Sequence, residues 1–255
     1  EEVDKVVQWE AEERLPYPVD EAEIRHLVAG EVRQDANIKQ EVILMACHRG
    51  VLKRHLGILE QAGLAPQAID AEPCAIVRSF CNEDTEGRPR QAYLHLGETA
   101  TAVIFAEGPQ ILFLKYVSRG GVHFDQAVAQ HLTLPLHEAS QMRETVLAST
   151  DLDSGNEVHR TVIEALRRPL ESLSAEVELC MRYFKVTFRG RPLEKVIVTG
   201  SEASPWLVEF FEKNLQIPCE WGNPFQTLHR WPAEHDALER PSRWAAAIGL
   251  SKKGI

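Results

Sequence analysis

Seven apolar residues, Val162, Leu166, Leu170, Leu173, Val177, Cys180 and Phe184, recur at spacings of four and three. That period sets them on one face of a helix over residues 162–184, and so long an apolar stripe must be covered by another layer. Pro169 interrupts it, so the helix is expected to kink there or restart with the proline in a new first turn. The covering layer is readable nearby. "QAYLHLG", "TAVIFAEG" and "QILFLKYVS", over residues 91–117, are β-rich runs parted by Gly97 and "EGPQ", an antiparallel meander. "LEKVIVTGSEA" is a buried strand entering a Gly-Ser turn. Leu94, Val103, Ile104, Leu112, Val196 and Val198 should therefore share one sheet with the helix packed on it, which makes the class α/β.

The first seventy residues read as a smaller α+β unit, 1–70. Val3, Val6, Val7, Ala11 and Leu15 repeat at helical spacing until Pro16 and Pro18 stop them. "IRHLVAGEV" and "EVILMACHR" are strands joined by the polar "RQDANIKQ". "VLKRHLGILEQAGL" is a helix with Val51, Leu52, Leu56 and Leu59 on one face and Gly63 as its C-cap. "APQAIDAEP" reads as a strand ending at Pro73. Residues 71–90, a short helix "CAIVRSFC" and the polar "NEDTEGRPR", form a crossing to residues 91–255. There, "RGGVHFDQAVAQHL" and "HEASQMRETVLA" are helices, and 135–190 makes a helical subdomain in which the loop "STDLDSGNE" leads into the long helix. "PWLVEFFEKNL", "IPCEW" and "RPSRWAAAIGL" close the chain as helix, strand and helix.

With 38 acids to 28 bases the net charge is −10, which excludes a basic nucleic-acid-binding face. Five cysteines, widely spaced and without C-x-x-C, indicate neither a disulfide framework nor a zinc site, and fit a reducing cytoplasm. No metal ligand set is read. No apolar run reaches the ~18 residues that span a bilayer, and no leader pattern opens the sequence, so membrane contact is expected through a partner. No nucleophile motif such as G-x-S-x-G occurs. The alternating charges of "EEVDKVVQWEAEE" read as a solvated face, and Trp9, Trp206, Trp221, Trp231 and Trp244 as packing residues, with Trp231 the best candidate for an exposed contact.

Three glycine turns follow strands, at Gly97, at Gly120 with Gly121, and at Gly200. In α/β proteins such junctions are where phosphates are held, while each is equally explained as a hairpin, a helix entry or a close-packing turn. The first lies in "LHLGETATAVIF". There Thr99 and Thr101 line the turn, but His95 stands where an ATPase would keep a metal-facing aspartate. A structural histidine is favoured over a metal ligand, because no second histidine or cysteine stands at ligand spacing.

Their order carries more. "WEAEERLPYPVDEAEI", "GILEQAGLAPQAIDAEPCAIVRSF", "RGGVHFDQAVAQHL", "EKVIVTGSEA", "LVEFFEKNLQIPCEWGNPF" and "WAAAIGL" resemble successive blocks of the PilM family, the actin-like cytoplasmic proteins of type IV pilus assembly. The cell-division protein FtsA and the cytoplasmic part of type II secretion protein L share some of these blocks. The resemblance implies an actin-like, ribonuclease-H-like two-lobed fold with ATP and magnesium between the lobes, here truncated at its N-terminus. Residues 1–70 would then be the small subdomain of the first lobe. Glu72 would match the Glu-Pro connecting motif, a carboxylate near the attacking water, where the residue alone reads as a capping or solvated carboxylate. Gly97, Thr99 and Thr101 would match the second phosphate loop, and Arg143 a helix residue near the adenosine. Gly200 with Ser201 would match the adenosine loop.

Three departures from the family pattern weaken nucleotide chemistry. The glycine- and serine-rich first phosphate loop, expected upstream of residue 1, is not in this chain. The Asp-x-Gly of the second loop is His95-Leu96-Gly97, and an imidazole does not replace a hard oxygen ligand for magnesium. The Gly-Gly-Gly turn is Gly200-Ser201-Glu202, which adds a negative charge beside a site for an anion. ATP and magnesium are thus doubtful here. The leading expectation is an adaptor, at the inner membrane through a partner, that grips the tail of a PilN-like protein. The apolar "VILMAC" strand and the "LPYP" turn would offer an edge or groove to an extended peptide, with Tyr17 and Met45 as contacts. The runner-up is an active ATPase or small-molecule kinase whose first loop precedes Glu1.

Overall fold

A computed structural model describes residues 2–34, 37–81, 88–149, 155–188, 192–228 and 240–254. Its contacts divide the chain into Glu1–Ala71 with Gly254–Ile255, and Glu72–Lys253. Trp231, most of "NEDTEGRPR" and the middle of "STDLDSGNE" lie outside the described residues.

In the smaller unit, α1 (Glu2–Arg14) leads through a 3-10 turn, Val19–Glu21, into β1 (Ala22–Gln34) and β2 (Asn37–His48), then α2 (Arg49–Gln61). The strands form an antiparallel hairpin from Ala22 opposite His48 to Gln34 opposite Asn37, with a bulge between Val28 and Gly30. The pairing runs through most of the polar stretch expected to be a connection, because backbone hydrogen bonds extend a hairpin whether or not its side chains are buried. Val7 and Ala11 of α1 are buried as expected, but Val6 is exposed and Trp9 is 73% exposed, so Trp9 is not a packing residue here. Gly63 ends α2 by donating to the Glu60 carbonyl while Leu64 donates to Leu59, the Schellman pattern. None of α2 is buried, and Val51 of its expected inner face is exposed. The strand expected at "APQAIDAEP" does not form. Residues 64–71 are irregular, and Glu72-Pro73 opens a helix, where proline's missing N–H costs nothing.

The larger unit runs α3 (Glu72–Phe80), β3 (Arg90–Leu96), β4 (Thr101–Glu107), β5 (Gln110–Val117), α4 (Gly121–Leu132), α5 (Leu136–Ala148) and α6 (Glu157–Thr187). It continues with β6 (Lys195–Thr199), α7 (Pro205–Leu215), β7 (Cys219–Trp221), a 3-10 turn Pro241–Trp244, and α8 (Ala245–Ser251). The sheet order is β5-β4-β3-β6-β7. β3, β4 and β5 are the antiparallel meander, and β6 and β7 run parallel to β3. All six residues expected in one sheet are in it.

Strand parity assigns the helices to faces. Ala92 lies opposite Phe105, and Tyr93 opposite Ile104. Phe184 of α6 meets Phe105 edge-on at 5.1 Å, so α6 covers the Phe105 face. Phe80 of α3 stacks on Tyr93 at 5.7 Å, so α3 covers the other. All seven stripe residues of α6 are buried. The helix is continuous through Pro169 rather than restarting, since its buried face outweighs the single bond that Pro169 cannot donate to Ala165. Among the described residues no disulfide forms and no helix is long and apolar enough to cross a membrane.

Behind α3, α8 packs closely enough that a Cβ on Gly249 would stand 1.7 Å from the Ala75 carbonyl oxygen. Arg78 of α3 also donates to the Gly249 carbonyl at 2.9 Å. Gly249→Ala must push the helices apart, at a cost of about 3 kcal/mol. The midpoint of thermal unfolding should fall by roughly 6–12 °C, and a change within about 2 °C would contradict this packing.

Candidate functional site

The glycine turns are fastened to one another by backbone bonds. Gly97 N–H donates to Ala100 at 3.0 Å, closing the turn between β3 and β4. The first two N–H groups of α4 then donate into that turn, Gly121 to Gly97 at 3.1 Å and Val122 to Glu98 at 2.8 Å. The next two, His123 and Phe124, donate to Gly120. A Cβ on Gly120 would lie 2.4 Å from the Gly97 carbonyl oxygen, so residue 120 is glycine because the two turns touch there. Thr99 is exposed, whereas Thr101 is fully buried and its hydroxyl donates to Arg119 at 2.8 Å.

The turn after β6 is held to the same strand end. Gly200 has φ +103°, and a Cβ there would meet the Leu96 carbonyl oxygen at 2.3 Å, so both conformation and space require glycine. Glu202 N–H donates to Leu96 at 3.1 Å. Ser242, buried, accepts from Gly200 N–H and from the Thr199 hydroxyl on its carbonyl, and its own hydroxyl donates to Gly200 at 3.2 Å.

Between these turns lies the most buried charged side chain among the described residues. The Arg143 side chain, on α5, is 3% exposed. Its Nε donates to Asp125 of α4 at 2.6 Å and its Nη1 to Glu202 at 2.8 Å. The guanidinium also sits over the Phe124 ring, 6.0 Å from its centroid. Burial opposes its charge, but the two carboxylates outweigh that and hold its pKa above the ordinary value. Ser201 donates to the other oxygen of Glu202 at 3.3 Å. The structure thus gathers Gly97, Gly120, Gly121, Arg143, Gly200 and Ser201 in one place. It adds Asp125, whose role as a partner of Arg143 the sequence did not signal.

Glu72 and His95 form a second cluster. His95 lies opposite Ala102, and Ala102 opposite Tyr116, so the small alanine leaves room between the histidine and the tyrosine on the α3 face of the sheet. Glu72, at the start of α3, accepts from the Tyr116 hydroxyl at 3.4 Å and lies 3.7 Å from His95 Nε2. Burial, then the Glu72 charge, pushes the Tyr116 phenol up to about 12. The His95 side chain is 12% exposed, and its Nδ1 is buried with no hydrogen-bond partner among the described residues. An orphaned acceptor costs less than an orphaned donor, so the proton belongs on Nε2, facing Glu72. Among the described residues no three His, Cys, Asp or Glu side chains are grouped to hold a metal ion.

In the smaller unit, the Tyr17 ring meets His48 edge-on at 5.1 Å, while His48 Nδ1 accepts from Gly50 and Nε2 lies 3.0 Å from Glu21. Met45 lies opposite Arg25. Residues 45 and 48 differ in parity, so Tyr17 and Met45 belong to opposite faces of the hairpin and are not brought together.

The family model described as Type IV pilus assembly protein PilM matches residues 1–254. Among solved structures, the chain is similar to one in a PilM-PilN type IV pilus biogenesis complex, with 21% identity and TM-score 0.78 over 98% of this chain and 71% of that one. It is also similar to the ethanolamine utilization protein EutJ from Carboxydothermus hydrogenoformans, with 14% identity and TM-score 0.54 over 93% and 91% of the two chains. A third is MreB5 of Spiroplasma citri bound to ADP, with 15% identity and TM-score 0.50 over 80% and 64%. These likenesses establish the fold as actin-like.

Burial holds the His95 imidazole below its ordinary 6.5, and the Glu72 charge only partly offsets it. The folded chain therefore binds fewer protons there than the unfolded one. This contribution to stability is complete above pH 6.5 and declines as pH falls through the lowered value. Wild type should lose more thermal stability than His95→Gln as pH falls below 6.5, with the His95 imidazole titrating by NMR at lower pH than a free imidazole. Parallel pH profiles for the two proteins would refute this.

Proposed function

The chain belongs to the PilM family of type IV pilus assembly proteins, and we propose that it works as an actin-like adaptor that holds an extended tail of a membrane partner. The observation that carries this reading is the incomplete covering of the smaller unit. α2 buries none of its residues, and Trp9, Val51, Ile58, Leu64 and Ile69 are all more than half exposed. Its two-stranded sheet has open outer edges among the described residues, and an extended peptide can add to such an edge through main-chain hydrogen bonds. In the similar solved complex PilM is assembled with PilN, so the partner proposed here is the tail of a PilN-like inner-membrane protein. That places this chain on the cytoplasmic side, held at the membrane by its partner.

We propose further that the nucleotide site is degenerate. A magnesium triphosphate needs free N–H donors, a cation and an oxygen ligand. Here the first N–H groups of α4 are bonded to Gly97 and Glu98, the Thr101 hydroxyl to Arg119, and Arg143 to two carboxylates. His95 puts an imidazole in place of a carboxylate. The residues present do not fit the ligand, and catalysis through Glu72 has no bound phosphate to act on.

Titrating a synthetic N-terminal tail of a PilN-like protein into the full chain tests the adaptor reading. Tyr17→Ala and Met45→Lys should each weaken binding about tenfold, because an added strand sends alternate side chains to both faces. Affinity should change little as salt is raised, since main-chain bonds are not screened as exposed ion pairs are. Unchanged affinity in both variants would move the site elsewhere. Calorimetry with ATP and magnesium should show no tight binding, and a micromolar magnesium-dependent isotherm would overturn the degenerate reading.

A further inference from the structure

The helix α2 carries two rows of apolar residues, and only one of them is partly covered. Leu52, Leu56 and Leu59, at spacings of four and three, are half-buried and form the inner row. Val51, Arg54 and Ile58, at spacings of three and four, make a second row on the outside, with Val51 53% and Ile58 58% exposed. The charge around this outer row runs against that of the chain. Although the net charge is −10, no acid occurs from Val42 to Leu59, whereas Arg49, Lys53 and Arg54 do. Arg49 donates to the Asp20 carbonyl and lies 3.7 Å from Glu23. Lys53 and Arg54 are exposed and have no hydrogen-bond or ionic partner among the described residues.

Aliphatic side chains with cations between them, on the outside of a thirteen-residue helix, suit a surface that offers hydrocarbon and negative charge together. We infer that the outer face of α2 is a binding site for anionic lipid, which gives the chain a membrane contact of its own. The helix is too short to span a bilayer, so it lies in the interface plane. The long stems of Lys53 and Arg54 keep their charges at the phosphates while Val51 and Ile58 enter the acyl boundary below. One such helix binds weakly and reversibly, and a second attachment makes the contact last. The inference goes beyond the adaptor reading, in which a tail pairs with strand edges rather than with this helix face.

The test is flotation of the full chain with vesicles of equal parts phosphatidylglycerol and phosphatidylcholine, against vesicles of phosphatidylcholine alone. A chain with a net charge of −10 should avoid the anionic vesicles unless a local patch binds them. They should carry at least about fivefold more protein than the neutral ones, and raising the salt should remove the difference. Lys53→Glu with Arg54→Glu should abolish the difference, and Ile58→Ser should reduce anionic binding about fivefold. All three residues are exposed, so both variants should keep the wild-type melting temperature. Should the charge reversal not fold, Lys53→Gln with Arg54→Gln is read in the same way. Equal flotation with both vesicles, flotation with neither, or anionic binding that survives the loss of both cations overturns the inference. So does release of the vesicle-bound chain by the PilN-like tail peptide, which would assign this face to the tail. Failure of the tail to bind in solution overturns the adaptor reading instead, and leaves the vesicle result standing.

Discussion

A guanidinium taken out of water must be matched by carboxylates already in place, and Arg143 imposes that demand on three parts of the larger unit at once. Desolvating an ion costs several kcal/mol, so the pairing survives only while α4 supplies Asp125, α5 supplies Arg143 and the turn after β6 supplies Glu202. The turn cannot drift, because Gly200 is packed on Leu96 and tied to Ser242. Nor can α4, whose first N–H groups are spent on the Gly97 turn. The two ion pairs of Arg143 thus join turns that backbone bonds and glycine packing already hold in place.

β3 is the strand on which this is built, and its two faces do different work. The Ala92, Leu94 and Leu96 face is fully buried and apolar, and on the same side Val103 and Phe105 of β4 are fully buried beneath α6. The opposite face keeps His95, whose neighbour Ala102 leaves the space in which Glu72 and Tyr116 converge. A central strand that carries an imidazole with an orphaned nitrogen gives up stability that an aliphatic residue would have supplied. The departure from the local rule stands beside the same turns that gather around Arg143.

The legible parts of the fold are those with a long or clearly bounded apolar pattern. The α6 stripe keeps a 3.6-residue period, and the 91–117 meander is three β-rich runs parted by glycine turns that pair with one another. "APQAIDAEP" finds no neighbouring strand, and a short run without a partner does not make a strand. Trp9 was misplaced because size suggested burial, whereas the helix it sits on covers itself with Val7 and Ala11. In the candidate site, the glycine turns are legible as strand-to-turn junctions, whereas Arg143 is reached only through a family resemblance. The partners of Arg143 lie 18 and 59 residues away, a separation across which no local pattern runs. Two features were legible in principle. Thr101 shares parity with the buried Val103 and Phe105, and Met45 differs in parity from His48, which is enough to turn one hydroxyl inward and to part Met45 from Tyr17.

A nucleotide can drive a conformational change only by the difference in its affinity for two states. Here, on the reading proposed, the donors of the glycine turns are already bonded within the chain. Such a chain gains nothing from ATP that it does not already hold, so its affinity for a membrane partner would be set by the surface of the smaller unit and not by a hydrolysis cycle. Retaining the glycine turns is then explained by packing, since Gly120, Gly121 and Gly200 each lie where a side chain would strike a neighbouring group.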